Sequence, residues 1–368
     1  MPVVSARRAP SPIARERRTN FTGCPRVGVV QSGSARRLGM LLATSAVLGL
    51  PRATSAQVEG LTGSLIVTNK SIAKATVIDV ATGRALATLP TGGGPHEIAI
   101  SPSGNIAVVT DYGTGPSPGH TLTVIDLPGL RVARTIELGQ YTRPHDITFF
   151  AGDTLAVVTS ESSRNVVIVN IAEGAVRRAI ATTQNGSHML GLTADRSRIF
   201  TGNIGSNTVS ELNVATGEPV RTFQVPAQPE AINVTPDGTE VWVGSNATGR
   251  VSVVNPRTGE VSTAAEGFGW PYRVCYTPDV RTVLMPDLRN EQLRFIDRAS
   301  RAELGRIDFT GGGPQGIIIT PDGRYAFLSL STQARVAIID IAARSVTGYL
   351  PAGETPDGVV YSTRVLAR

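Results

Sequence analysis

Short apolar segments alternate with turn residues from residue 61 to the end of the chain. Within each segment apolar and polar residues alternate and β-branched residues are frequent, which is typical of half-buried β-strands. Residues 95–138 contain the four segments HEIAIS, IAVVT, LTVID and VARTIEL, separated by a turn at 102–104, a polar loop and a turn at 128–129. We name these strands A, B, C and D. The pattern predicts a chain built almost wholly from antiparallel strands.

Strand C ends in Asp or Asn and recurs seven times, at intervals of 42 to 47 residues. Its last residues are Asp79, Asp126, Asn170, Asn213, Asn255, Asp297 and Asp340. Because Asp and Asn before a turn accept backbone N–H bonds, we assign these seven side chains a structural role. Four antiparallel strands in about 43 residues is the size of a propeller blade. The repeats therefore predict an all-β fold, a seven-bladed β-propeller with four-stranded antiparallel blades.

The two ends of the repeat region predict how the ring closes. The first strand, SLIVTN at residues 64–69, is a B strand with no A strand before it. The last strand, PDGVVYS at residues 356–362, is an A strand with no B strand after it. Together they complete one blade and remove an open sheet edge. We expect residues 57–368 to form a single domain.

The N-terminal residues have the pattern of an export signal. A mostly apolar run of thirteen residues at 38–50 follows Arg36 and Arg37, and the small residues ATSA at 53–56 come next. A charged pair, an apolar run and then small residues is the order of a secretory signal peptide. The apolar run is too short to span a membrane. We expect residues 1–56 to be an N-terminal extension and signal peptide that is cleaved near Ala56. The mature protein is then a periplasmic or secreted monomer with no membrane span, while the Arg pair leaves twin-arginine export open.

The net charge of +6 comes from this leader. Residues 1–56 contain nine Arg and one acid, and the remaining chain has 26 basic and 28 acidic residues. A general nucleic-acid surface is therefore not expected. Cys24 lies in the leader, which leaves Cys275 without a disulfide partner in the mature chain. Its apolar surroundings predict a buried structural thiol.

The repeat sequence resembles a known family. The resemblance rests on IVTN at 66–69, TVID at 76–79, ATL at 87–89, Gly94-Pro95 and IAISPSG at 98–104. These segments resemble the YVTN repeat of YncE-like propellers, which are secreted bacterial proteins with seven blades. No Trp-Asp pair of the WD40 type closes the C strands. The resemblance implies the propeller fold and an unassigned binding role. Related propellers include lactonases and companions of periplasmic dehydrogenases. The resemblance also implies single-stranded DNA binding as a possible function, which the slightly acidic mature chain disfavours.

The starts of the A strands differ in character from blade to blade. They read Pro95-His96, Pro144-His145, Ser187-His188, Pro229-Glu230, Pro271-Tyr272, Pro314-Gln315 and Pro356-Asp357. Because A is the innermost strand of a blade, these residues should surround the mouth of the central channel. We call this side, formed by the B–C and D–A loops, the top face. His120, in the longest B–C loop, and the acids Glu97 and Asp146 map to the same face.

Three consecutive blades place His96, His145 and His188 at this position. A ring of imidazoles and carboxylates can bind a transition metal, bind a polar ligand or perform general acid–base chemistry. Each imidazole can instead cap its own loop. No HExxH or CxxC pattern accompanies the ring, so the sequence leaves these alternatives open.

A second feature of the top face is the loop GFGWPYR at residues 267–273. Trp270 and Tyr272 can form a stacking surface for a ligand ring or can pack between blades. Arg143, Arg273 and Arg289 add potential contacts to an anion.

We therefore predict an exported binding or scaffold protein whose ligand or partner lies at the top face. The predicted ligand-binding residues are His96, His145, His188, Glu230, Trp270, Tyr272, Arg273, Gln315 and Asp357. A metal at His96, His145 and His188 is one alternative, and no other cofactor is expected. The alternative functions are a lactonase-like hydrolase and a metal-binding companion of a periplasmic dehydrogenase, both using the His and acid ring.

Overall fold

The computed structural model describes residues 58–367, and the predicted signal peptide and Cys24 lie outside them. Seven four-stranded antiparallel sheets follow one another along the chain, with strands numbered β1–β28 in chain order. The predicted all-β, seven-bladed propeller is confirmed. Within residues 58–367 the one helical element is a single 3-10 turn, Lys70–Ile72.

Blade 1 combines both ends of the described chain and contains β28, β1, β2 and β3. Blades 2 to 4 contain β4–β7, β8–β11 and β12–β15. The strands of these four blades are β1 Ser64–Asn69, β2 Lys74–Asp79, β3 Ala85–Pro90, β28 Pro356–Ser362, β4 Pro95–Ile100, β5 Ile106–Gly113, β6 Pro118–Asp126, β7 Arg131–Glu137, β8 Pro144–Phe149, β9 Leu155–Ser160, β10 Asn165–Asn170, β11 Ala175–Ala181, β12 Ser187–Leu192, β13 Arg198–Asn203, β14 Thr208–Asn213 and β15 Glu218–Gln224.

Blades 5 to 7 contain β16–β19, β20–β23 and β24–β27. Their strands are β16 Pro229–Val234, β17 Val241–Ser245, β18 Arg250–Val254, β19 Val261–Ala265, β20 Cys275–Tyr276, β21 Thr282–Asp287, β22 Gln292–Asp297, β23 Glu303–Asp308, β24 Pro314–Ile319, β25 Tyr325–Leu330, β26 Arg335–Asp340 and β27 Ser345–Pro351. The predicted A strand of blade 6 is short, because only β20 and a single bridge between Pro271 and Asp287 remain of it.

The first and last strands close the ring as the sequence predicts. Strand β28 pairs antiparallel with β1, from Ser64 opposite Ser362 to Asn69 opposite Pro356. The innermost strands of neighbouring blades contact one another around the channel, including β28 with β4 and β4 with β8. The second residues of β28, β4 and β8 are therefore held near the axis.

The apolar core lies between adjacent blades. Val108 and Val124 of blade 2 pack with Val158 and Val167 of blade 3 in one cluster of buried side chains. Because both faces of each sheet are covered by a neighbour, the B and C strands are apolar at nearly every position, unlike the exposed D strands. This packing explains why the B and C strands read as continuous apolar runs.

Two local expectations are corrected by the structure. The predicted polar loop between strands B and C of blade 2 is a hairpin, because strand pairing continues as far as Gly113 opposite Pro118. Cys275 is half-buried rather than buried and packs against the core between blades 6 and 7. Desolvation nevertheless raises the pKa of its thiol to about 12. No helix in residues 58–367 is long and apolar enough to cross a membrane.

Candidate functional site

The inner strands present their second and third residues to the channel through a break in strand pairing. In blade 2 the pairing with β5 shifts between Pro95 and Ile98, and in blade 3 the same shift lies between Pro144 and Ile147. Blade 4 repeats it between Ser187 and Leu190. Such a bulge redirects side chains. The three predicted His residues all lie in these bulges.

A threonine on the preceding blade holds each His in place. The hydroxyl of Thr159 donates to the carbonyl of His188 at 2.6 Å, and that of Thr110 donates to the carbonyl of His145 at 2.7 Å. Thr68 makes the equivalent bond to His96 at 2.8 Å. These threonines belong to the repeated VTN, VTD and VTS segments of the B strands. The repeat sequence thus fixes the backbone from which the imidazoles extend.

The three imidazoles form one cluster. The ring centres of His145 and His188 are 3.6 Å apart, and those of His96 and His145 are 5.0 Å apart. Tyr112 joins the cluster with its ring centre 4.2 Å from that of His96. The prediction that three consecutive blades bring their His residues together therefore agrees with the structure. The rings do not converge on one point, and no group of His, Cys, Asp or Glu within residues 58–367 has the geometry to hold a metal as it stands.

Hydrogen bonds fix the orientation of two of the rings. Nδ1 of His96 lies 2.7 Å from the carbonyl of Gly94, and Nδ1 of His188 lies 2.8 Å from Oε2 of Glu161. Burial would by itself raise the pKa of Glu161, but His188, Tyr112 and Arg143 together outweigh burial and hold that pKa below its ordinary value. Because a carbonyl and a carboxylate only accept, both imidazoles carry a hydrogen on Nδ1.

Two of the imidazoles are neutral at neutral pH. Burial lowers the pKa of His96 to about 4, with the positive charge of Lys70 as the second cause. Burial also lowers the pKa of His145 well below its ordinary value, and the neighbouring His188 acts in the same direction. A cluster of closely packed rings is possible because the charged form of these two is disfavoured.

Glu230 continues the ring on blade 5. Its Oε2 accepts a hydrogen bond from Nε1 of Trp270 at 2.9 Å and another from the amide of Asn246. Its Oε1 lies 3.9 Å from Nε2 of His188. Trp270 is half-buried, so its indole joins the site through a polar contact as well as through packing.

Asp357 occupies the same position on blade 1. It accepts a hydrogen bond from the hydroxyl of Tyr272 at 3.1 Å, and its Oδ2 lies 2.6 Å from Nζ of Lys70. Burial would raise the pKa of this carboxyl, but the charges of Lys70 and Arg273 outweigh it and hold the pKa below its ordinary value. The carboxylate is therefore ionised and fully buried.

An ion pair connects two blades across the ring. Arg273 of blade 6 binds Glu97 of blade 2, two blades that are not neighbours, and its guanidinium also covers the ring of Tyr272. Burial raises the pKa of Glu97, while Arg273 opposes that shift. Burial, with the charge of Glu97 as the second cause, also raises the pKa of Asp146. Arg273 is also close enough to His145 that its charge helps to lower the pKa of that imidazole.

Several buried polar atoms around this mouth have no partner within the described residues. They are Nδ1 of His145, Oδ1 of Asn246, Nε of Arg273 and Oε1 of Gln315. An unpaired buried polar atom costs roughly 1–3 kcal/mol, and native proteins retain few of them. A polar ligand at this mouth would supply the hydrogen bonds that these atoms lack.

The remaining predicted residues are distributed as follows. Gln315 has the expected place on the inner strand of blade 7 but makes no side-chain hydrogen bond within residues 58–367. His120 lies apart from the three clustered rings, exposed and 3.4 Å from Glu137. Arg143 covers the ring of Tyr112, and Arg289 covers that of Trp270. His120 is thus the one His outside the cluster, although all four were mapped to one face.

Four further residues of the site were not predicted from the sequence, and they are Lys70, Tyr112, Glu161 and Asn246. All four share one repeat position, directly after the residue that pairs with the start of the inner strand. Alignment of the repeats therefore groups these four residues at one position, next to the position of the predicted ring. The position was not predicted as part of the site because its residues read as loops.

Comparison with known proteins supports the fold. Residues 142–256 match the family model of YNCE-like beta-propellers. No curated protein matches the chain in sequence. A solved chain of Kuenenia stuttgartiensis hydrazine synthase superposes with a TM-score of 0.67 at 17% identity, covering 76% of this chain and 93% of that one. A functionally unknown protein from Desulfotomaculum acetoxidans DSM 771 has a TM-score of 0.68 at 16% identity, covering 82% and 99%.

At these identities the two structural likenesses show the fold alone. The propeller arrangement extends through all seven blades of the described chain, beyond the residues that the family model matches. Residues 142–256 carry a YNCE-like segment within a seven-bladed ring, which confirms the resemblance that the repeat sequence predicted.

Proposed function

We propose that this protein is a binding protein whose ligand is a small polar molecule or ion at the top mouth of the channel. The observation that carries the proposal is the group of buried polar atoms without partners, which includes Nδ1 of His145 and Oδ1 of Asn246. A ligand that bonds to them offsets the cost of their burial.

The neighbouring groups suit such a ligand. Asp357 and Glu230 are buried carboxylates held by hydrogen bonds, and Arg273 is a buried cation paired with Glu97. Trp270 and Tyr112 are half-buried aromatic rings at the rim. Small-molecule sites combine apolar walls with a few fixed polar groups in this way.

The test is a ligand screen by thermal unfolding of the full chain, with organic acids, amines, sugars and lactones in separate arms. A ligand at 100 times its dissociation constant adds about 2.7 kcal/mol to the free energy of unfolding. Emission of Trp270 is a second readout, because its indole bonds directly to Glu230.

Two variants locate the binding. We expect His145→Ala to abolish the stabilisation, because it removes the centre of the cluster. The matched control is His120→Gln, which changes an exposed His outside the site. A ligand that stabilises His145→Ala as strongly as the parent chain contradicts the proposed site. Turnover of a lactone that is lost in His145→Ala would favour the hydrolase instead.

A further inference from the structure

Two of the clustered imidazoles use Nδ1 in a hydrogen bond and keep Nε2 for another partner. Because His96 donates from Nδ1 to the carbonyl of Gly94, a neutral imidazole there has its lone pair on Nε2. Because His188 donates from Nδ1 to Glu161, a neutral imidazole there also has its lone pair on Nε2. A carbonyl or carboxylate partner on the far nitrogen is the arrangement that orients histidines toward a metal ion.

The central imidazole, that of His145, has no hydrogen bond among the described residues that fixes its orientation. Nδ1 of His145 is buried without a partner, and no hydrogen bond to the described residues fixes this imidazole. His145 is 2% exposed, so the missing partner has to be a group enclosed in the site rather than bulk solvent. It is therefore the ring that can turn within the cluster while its neighbours keep their bonds.

The distances between the ring centres show which imidazole has to move for all three to bind one ion. With nitrogens about 2.0–2.1 Å from one ion and roughly tetrahedral angles, two imidazole centres lie about 5 Å apart. The 5.0 Å between His96 and His145 meets this condition. The 3.6 Å stack of His145 on His188 does not, so His145 has to tilt away from His188 for all three nitrogens to reach one ion.

Carboxylates lie beside the imidazoles that would bind a cation. Lys70 pairs with Asp357, and Arg273 pairs with Glu97. Two carboxylates remain beside the imidazoles. They are Glu161, which binds Nδ1 of His188, and Glu230, whose Oε1 lies 3.9 Å from Nε2 of the same ring.

We infer that His96, His145 and His188 bind a divalent transition-metal ion, with Glu230 placed beside them as a fourth ligand. The inference rests on the proposed function, since it names the ligand of the same site. Imidazole and carboxylate donors suit zinc, cobalt, nickel and copper ions rather than calcium or magnesium. Glu161 is a positioning residue, because it orients His188 without contacting the ion.

The experiment uses the full chain without a polyhistidine tag, stripped with a chelator. Cobalt(II) is titrated in while visible absorption is recorded, and the zinc(II) affinity is measured by competition with a chromophoric chelator. We expect one ion per chain. His145→Ala should lower the zinc affinity by on the order of 100-fold or more, and Glu161→Gln should lower it by about 10-fold with the cobalt spectrum retained.

Three controls keep the result interpretable. His120→Gln should bind as the parent chain does, because His120 lies outside the cluster. Thermal unfolding of each variant shows whether it is folded. If His145→Ala fails to fold, His96→Gln at a half-buried ring replaces it and should show the same loss of affinity.

The outcomes separate this inference from the proposed function. Equal zinc affinity in the parent chain and in a folded His145→Ala or His96→Gln variant overturns the metal site. So does an absence of zinc binding while an organic ligand still stabilises the parent chain but not the variant, a result that leaves the proposed function standing. If neither zinc nor any organic ligand binds, both proposals fail.

Discussion

At the residue scale, the site depends on burying groups that water would otherwise solvate. Asp111, in the blade that carries His96, shows the same feature outside the cluster. Its carboxylate accepts hydrogen bonds from Thr121, Thr123 and the backbone N–H of Gly92. Desolvation still dominates and raises the pKa of Asp111 to about 6. The loop that leads to His96 is thus anchored to a carboxylate that is costly to ionise.

This shift predicts a pH dependence of stability. The folded pKa of Asp111 is raised above its ordinary value of 3.8, so the folded state binds the proton more tightly and gains stability as pH falls. Relative to Asp111→Asn, the parent chain should gain roughly 2 kcal/mol in unfolding free energy between pH 7 and pH 4. Denaturant unfolding at both values measures this difference.

Asp153 serves as a control, because its pH dependence of stability should have the opposite sign to that of Asp111. A hydrogen bond from Ser103 lowers the pKa of Asp153, so the parent chain should lose stability relative to Asp153→Asn as pH falls. A difference between the parent and Asp111→Asn that stays constant from pH 7 to pH 4 would show that the carboxylate is not desolvated.

At the element scale, the repeat sequence acts through the contact between one blade and the next. Thr159 accepts a hydrogen bond from the backbone N–H of Asp146 in its own blade and donates to the carbonyl of His188 in the following blade. Ser329 occupies the equivalent position in blade 7, yet its buried hydroxyl has no partner within the described residues. The two side chains separate the effect of the bond from the effect of burial.

We expect Thr159→Val to lower the free energy of unfolding by about 1–3 kcal/mol, because it leaves a buried N–H and a buried carbonyl without their hydroxyl partner. Ser329→Ala should change it by less than about 0.5 kcal/mol, since no hydrogen bond is lost. Chemical denaturation of both variants gives the two values. Equal losses would mean that the hydroxyl of Thr159 does not link the blades.

The elements were largely predictable, whereas the side-chain cluster was predictable only in part. Alternation and turn residues located the strands, and the repeat interval located the blades. The bulge at His96 was not visible, because a change of pairing leaves no mark in an apolar pattern. The short β20 was also missed, since residues 271–274 look like a strand but form only one bridge with β21. Contacts across the channel, such as Arg273 with Glu97, depend on blade rotation rather than on sequence spacing.

At the scale of the whole molecule, the ring depends on its last strand. Residues 356–362 pair with β1, and Val359, Val360 and Leu366 are buried between blades. The same strand carries Asp357 into the site. Closure therefore links the stability of the propeller to the integrity of the top face.

Deleting residues 356–368 should destabilise the whole fold. The three buried aliphatic side chains together contribute roughly 5 kcal/mol or more, and the loss also exposes the edge of β1. Thermal unfolding measures the effect. As a control, a permuted chain in which residues 356–367 precede residue 58 should recover the parent midpoint, because the same strand closes the same blade. An unchanged midpoint in the deletion variant would mean that β28 does not close the ring.

The account of function rests on the imidazole cluster, and anomalous diffraction from crystals of the chain soaked in zinc(II) locates an ion directly. We predict one strong anomalous peak at the top mouth, bounded by His96, His145 and His188, with His145 tilted out of its stack on His188. A peak at exposed His120 and Glu137 alone, or no peak at the mouth in crystals where the cluster is open to solvent, would contradict the metal site.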